Sequence, residues 1–173
     1  MKLWSSVSGM NTLKLASACP SPCPGLVEEA SRRYRVDPTR VYAGGFSNGG
    51  RFSFILLAQK PEVFAAFLMI GSLAPDLAGA TTPRPVMYLF GKDEPKRFQE
   101  MWHQTAIALV DLNRSSNKQQ EWAPDYIEFP ATPGGAQTVI HLYRAGHIWP
   151  HGGNPHIVRF FKSHQLAATE QPE

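Results

Sequence analysis

Gly45-Phe46-Ser47-Asn48-Gly49 places a serine between two glycines, directly after the apolar run Val41-Tyr42-Ala43-Gly44 and directly before the helix-like run from Arg51 to Lys60. A serine so placed can act as a nucleophile. A chain that leaves a buried strand, turns too tightly for flanking side chains and enters a helix lifts the serine oxygen above the sheet. Glycine on both sides relieves the crowding at such a turn. The helix that follows would aim its free N–H groups and the positive end of its dipole at the reacting centre, which favours an oxyanion. The backbone N–H of Asn48 is the one oxyanion donor that the sequence identifies, and no second source is visible.

A serine hydroxyl is a poor nucleophile at neutral pH, so the chemistry needs a base to take its proton and an acid to orient that base. Both occur in loops that follow apolar runs. Gly91-Lys92-Asp93-Glu94-Pro95 follows Val86 to Phe90, and Arg144-Ala145-Gly146-His147-Ile148-Trp149-Pro150 follows Thr138 to Tyr143. In an open sheet of parallel strands the site lies at the carboxyl ends of the strands, which selects Asp93 as the acid and His147 as the base. Each has a rival. Glu94 adjoins Asp93 and could replace it, and Asp93 could instead cap the turn that follows. His141 lies inside its strand and His156 opens the last helix, so His151 is the next choice after His147. Phe46 and Trp149 are the expected apolar walls beside an acyl or aryl group, although such aromatics are commonly core residues.

The elements that must hold these residues follow from periodicity. Leu26 to Tyr34 places Leu26, Val27, Ala30 and Tyr34 on one helical face. Apolar runs at Arg40 to Ala43, Ala65 to Ile70, Val86 to Phe90 and Thr138 to Tyr143 suit buried parallel strands. Between and after them lie a helix behind Ser47, one from about Phe98 to Leu112, and a last from about Pro155 to His164 with Ile157, Phe160 and Phe161 facing the sheet. Strands alternating with helices predict an α/β doubly wound sheet. Residues 1–24, ending in Pro20, Pro22 and Pro24, read as an irregular lead-in with at most a short strand at Thr12 to Leu15. Residues 25–165 read as the core and 166–173 as a disordered tail. The polar, proline-containing stretch Ser115 to Pro133 reads as a long surface excursion.

Composition excludes several classes. The 173 residues, 43% hydrophobic and 18% charged, suit one folded domain. Seventeen basic against fourteen acidic residues leave +3, scattered rather than clustered, which argues against a nucleic-acid partner. No stretch approaches the ~20 apolar residues that cross a bilayer, so a soluble protein with no membrane partner is expected. Leu3 to Leu13 lacks the apolar centre of a secretory signal, which reads as cytoplasmic for the sequence as it stands. Cys19 and Cys23, in Cys-Pro-Ser-Pro-Cys-Pro, have no further clustered ligands and imply no metal; a small disulfide loop or free thiols in a connector both fit.

With these residues in view, the chain resembles the polyhydroxybutyrate depolymerase and feruloyl esterase-like branch of the α/β-hydrolases. The resemblance rests on Val36-Asp37-Pro38-Thr39-Arg40-Val41-Tyr42 leading into Gly45-Phe46-Ser47-Asn48-Gly49-Gly50, on Pro61-Glu62-Val63-Phe64-Ala65-Ala66, on Phe90-Gly91-Lys92-Asp93 and on Gly146-His147-Ile148-Trp149-Pro150. It implies a minimal α/β-hydrolase-like, mostly parallel sheet and hydrolysis of aryl, short-chain or polymeric hydroxyalkanoate esters by a Ser47, Asp93 and His147 triad without a cofactor. The same triad could open lactones or cleave peptides. Members of this branch, often secreted, carry several strands and a His-Gly oxyanion loop ahead of the serine, where this chain has 46 residues and no His-Gly pair. The shortening implies an exposed edge at the Val41 strand unless Thr12 to Leu15 covers it, a homodimer through that edge or an unusually minimal sheet, and, as the alternative function, a catalytically weak binding domain.

Overall fold

The dense apolar runs fold into strands with little or no solvent-facing side. In the computed structural model they are β1 (Tyr42–Phe46), β2 (Ala66–Ile70), β3 (Val86–Gly91) and β6 (Thr138–Tyr143), and a more polar stretch between β3 and β6 adds β4 (Gln120–Ala123) and β5 (Tyr126–Phe129). The structure describes residues 22–74 and 76–167, with side chains from Gly25 onward. The strand expected at Thr12 to Leu15, Cys19, the side chain of Cys23 and the tail beyond 167 lie outside the described residues.

Contacts divide the chain into two units, residues 1–37 and 38–173. The first holds α1 (Pro22–Arg33), which begins four residues ahead of the helix read from periodicity. Proline is tolerated in a first turn because its missing N–H would have had no intrahelical acceptor there. Glu29 pairs with Arg32 and Arg33 one turn on.

The second unit holds the sheet, in the order β1-β2-β3-β6-β5-β4. β1, β2, β3 and β6 run parallel, whereas β5 is antiparallel to both β6 and β4. This is the mostly parallel α/β architecture that the sequence predicts. Every residue of β2 and β3 is buried, as expected when helices cover both faces. Alternation along the strands sends Phe67, Tyr88 and Phe90 to one face, where Phe64, Phe54 of α2 (Asn48–Gln59) and Trp102 of α3 (Lys96–Leu112) pack on them. Leu68, Ile70, Met87 and Leu89 go to the other, beneath Ile157 and Phe160 of α4 (Asn154–Lys162). Phe160 is fully buried, a contribution of about 1.5–3 kcal/mol by apolar area. Its neighbour Phe161 is partly buried and stacks on Tyr42 of β1.

The stretch Ser115 to Pro133 corrects the sequence reading. Instead of a surface excursion it supplies β4 and β5, a hairpin that widens the sheet beyond β6. Four-residue strands at a sheet margin bury little, so their outward positions carry Gln120, Glu121 and Glu128 and mask the alternation. Asp125 makes the hairpin turn with φ of 68°, a conformation that Asp accepts more readily than most residues. Gln120 to Ala123 and Tyr42 to Phe46 form the two margins of the sheet among the described residues.

Candidate active site

The turn from β1 into α2 is built around Ser47, whose backbone sits at φ 55° and ψ −116°. A non-glycine residue there is strained, and such strain persists only where surrounding structure fixes it. Two features fix it. The N–H of Ser47 donates to the Ile70 carbonyl at 2.8 Å, tying the turn to the end of β2. Gly45 lies so close to α2 that a β-carbon on it would meet the Gly49 carbonyl carbon at 2.5 Å.

The flanking glycines are therefore unequal. A β-carbon on Gly49 would meet nothing within 4 Å, whereas one on Gly50 would come within 2.8 Å of Ser72 Cβ and 3.1 Å of the carbonyls of Gly45 and Ile70. Close packing of α2 against β1 and β2 requires Gly45 and Gly50. Gly49, which the sequence pattern emphasises, is not constrained by space.

Ser47 is the N-cap residue of α2, a position where a serine side chain commonly accepts from the helix's own N–H groups. Here it makes no such bond. Its Oγ instead lies 2.8 Å from His147 Nε2. The first N–H groups of α2, beginning with Asn48, are thereby left without an intrahelical acceptor beside the serine oxygen. Asn48 itself is exposed.

His147 Nδ1 lies 2.7 Å from Oε1 of Glu94. With Nδ1 donating to that carboxylate, Nε2 is the lone-pair nitrogen and accepts the Ser47 hydroxyl proton. Glu94 is 8% exposed, so water competes little for its carboxylate. Asp93, the acid selected from sequence, does not make this contact. Its side chain is exposed, and its backbone N–H donates to the Ala145 carbonyl at 3.0 Å. The reason is geometric: once that backbone bond is made, successive residues of the turn point opposite ways, and only the next side chain reaches inward to the imidazole.

Two loops position this pair together. Lys92 N–H donates to the Tyr143 carbonyl and Asp93 N–H to that of Ala145, so the segment after β3 is stitched to the segment after β6. Gly91 permits it, since any β-carbon there would collide with the carbonyls of Ala145 and Gly146. Gln99 of α3 donates from Nε2 to the carbonyls of Lys92 and Glu94, at 3.0 and 2.9 Å, and fixes the turn from behind.

Phe46 and Trp149 both lie at the site. The Phe46 ring is 4.7 Å from the His147 imidazole and 6.5 Å from the Trp149 ring. Trp149 is 42% exposed, with Nε1 donating to Asn154 Oδ1 at 2.8 Å. The three histidines that rivalled His147 in the sequence lie away from the relay. His141 bonds the Asp125 carbonyl and stacks on Tyr126, His156 packs on Tyr126 and Trp122, and His151 is exposed in a turn. Burial is the main cause that lowers the pKa of His141 below the usual histidine value, partly opposed by its bond to Asp125.

Gly71, Gly91, Gln99 and Tyr143 were not visible as site residues in the sequence. The first two carried a signal in their position directly at the ends of β2 and β3. Among the described residues no group of three or more His, Cys, Asp or Glu is arranged to hold a metal ion. No helix among them is long and apolar enough to cross a membrane.

No protein-family model matches the chain. The chain is 36% identical over 75 residues to "Putative esterase NocK" from Nocardia uniformis subsp. tsuyamanensis, covering 42% of this chain and 22% of that protein. It is 24% identical over 136 residues to the bifunctional acetylxylan esterase/xylanase XynS20E of Neocallimastix patriciarum, covering 70% and 20%. The chain thus spans about a fifth of the length of these curated relatives. Among solved structures it resembles the Bacillus cereus carboxylesterase, with a TM-score of 0.56 and 16% identity over 79% of this chain and 55% of that one. An acetyl xylan esterase from Aspergillus awamori gives 0.58 and 17%, over 80% and 65%. The fold is accordingly an esterase-like α/β-hydrolase fold, with Ser47, Glu94 and His147 at the carboxyl ends of β1, β3 and β6.

Proposed function

We propose that this chain carries the machinery of a carboxylic ester hydrolase that works through an acyl-enzyme on Ser47. The supporting observation is the relay from Ser47 Oγ to His147 Nε2 at 2.8 Å and from His147 Nδ1 to Glu94 Oε1 at 2.7 Å. Its members come from three different strand ends, in the chain order serine, acid, histidine that this fold class uses. The relatives whose names specify esterases, and the esterase structures that share the fold, agree with it.

In this reading His147 Nε2 takes the hydroxyl proton as Ser47 Oγ attacks the acyl carbon. Glu94 holds the imidazole in the required tautomer and stabilises its cationic form. The Asn48 N–H, at the positive end of α2, donates to the developing oxyanion. His147 then protonates the departing alcohol, and a water activated by the same nitrogen releases the acid. Phe46 and Trp149 offer a flat apolar wall to an aryl or short acyl group. Acetyl and aryl esters are the first substrates to try, with feruloyl and hydroxyalkanoate esters next.

The test is labelling of Ser47 by a fluorophosphonate together with turnover of p-nitrophenyl acetate. Labelling and turnover that both disappear in Ser47→Ala and His147→Ala support the reading. A folded protein whose serine stays inert to the probe would instead support a hydrolase-like binding domain.

A further inference from the structure

His147 sits on an exposed segment of irregular backbone. Between the end of β6 and α4 the chain has no regular secondary structure across residues 144–150, and His147, Ile148 and Trp149 are all exposed. Gly146, just before the histidine, has no neighbour within 4 Å of where a β-carbon would stand, and glycine adds backbone freedom of its own. Yet the imidazole must stay within hydrogen-bond reach of two partners on other strands. Small displacements of a catalytic group are expensive, with about 1 Å worth on the order of 100-fold in rate.

One residue grips both ends of this segment. Tyr143, the last residue of β6 and 7% exposed, accepts at its backbone carbonyl from Ala145 N–H at 3.0 Å and from Lys92 N–H at 2.9 Å. Its phenol reaches forward and donates from Oη to the Ile148 carbonyl at 2.7 Å. Ile148 N–H closes back on the Gly146 carbonyl at 2.9 Å. Residues 144–148 therefore form a loop tied at each end to the same buried side chain and backbone, with His147 inside it. We propose that the Tyr143 hydroxyl is a positioning group, which by tethering the Ile148 carbonyl holds the His147 imidazole in line between Ser47 and Glu94.

The placement of the phenol fits a permanent donor. Burial, with a smaller contribution from the nearby Glu94 carboxylate, pushes its pKa up to about 12, so the hydroxyl keeps its proton across the range in which an esterase would be assayed. An aliphatic residue would fill the same core space without reaching the carbonyl. Ile148 is 45% exposed, so water can replace the lost donor when the phenol is removed. Loss of the tether should then loosen the loop more than it destabilises the fold.

The inference rests on the proposed esterase reading, and Tyr143→Phe tests it in two ways. In ester hydrolysis the variant should lose about tenfold or more in kcat while KM stays within about twofold, the pattern of a mispositioned catalytic group. By proton NMR the downfield Nδ1–H resonance of His147 should broaden or vanish, a readout that does not depend on turnover. Tyr126→Phe, which removes another phenol from the same face of the sheet, should leave both unchanged. A Tyr143→Phe protein with wild-type kcat and an intact His147 resonance would overturn the tether. A wild-type protein inert to esters would sink the esterase reading alone, and the resonance would still decide the tether.

Discussion

The His147 imidazole rests against Gly71. A β-carbon built on Gly71 would stand 3.2 Å from both Cε1 and Nδ1 of the ring and 3.0 Å from Phe46 Cε2, and the backbone there has φ of +56°. Gly71 follows β2, the one parallel strand whose end contributes no member of the hydrogen-bonded relay. Its role is to be empty. Gly71→Ala should therefore keep a folded sheet but push the imidazole off line, with kcat/KM for p-nitrophenyl acetate falling on the order of 100-fold. A variant within threefold of wild type would show that the ring has room to adjust.

The neighbouring acids should separate cleanly. Glu94→Gln keeps the shape of the side chain while removing its charge and offering Nδ1 an amide donor that favours the wrong His147 tautomer, and a loss of about 10³- to 10⁴-fold in kcat is expected. Asp93→Asn changes an exposed carboxylate whose backbone carries the structural bond, so its activity should stay within about twofold. Steady-state kinetics on the two single variants decides between them. The opposite ranking would return the role to Asp93.

The two glycines around the serine should also behave differently. Gly45→Ala forces a β-carbon into the backbone of α2, and strain of this kind costs about 1–3 kcal/mol or more. Fluorophosphonate labelling should fall with it. Gly49→Ala adds a methyl to open space inside α2, where alanine is favoured over glycine by about 1 kcal/mol. Its melting temperature should rise or hold, and labelling should persist.

Stability should decline on mild acidification for reasons unrelated to the site. His141 and His164 are both held below the usual histidine pKa of 6.5, in each case chiefly by burial. A base whose folded pKa is lowered binds fewer protons when folded than when unfolded, so unfolding is favoured as pH falls. Their contribution is intact above pH 6.5 and is lost as pH drops through the lowered values. Urea midpoints measured from pH 7.5 down to 5 should fall, and His141→Gln should flatten part of that slope.

Much of this arrangement was legible because burial and chemistry wrote it into residue order. β2 and β3 are apolar and buried along their whole length, and Thr138–Tyr143 has the bounds that the sequence predicts. Ser47 and His147 stand out because each follows such a run and belongs to a residue type that the chemistry requires. The choice between Asp93 and Glu94 was not legible, since it turns on a backbone hydrogen bond to Ala145 from a loop fifty residues away. Nor was the hairpin of β4 and β5, whose short marginal strands bury too little to leave an alternating signature. Gly71 lies against the His147 ring from the end of another strand, and the Tyr143 phenol reaches Ile148 within its own loop; nothing in the local sequence of either announces that partner.

The bond between Ser47 and His147 joins residues 100 positions apart, and β6, the last strand among the described residues, lies between β3 and β5 in the sheet. A chain made from its N-terminus has the elbow sequence long before it has the base. Closing so long a loop carries its entropy cost before any contact rewards it, which slows folding. During synthesis the serine would therefore remain chemically silent until the final strand slides into the interior of the sheet. The contact between Ser47 and His147 and the closing of the sheet between β3 and β5 would then arrive in the same step.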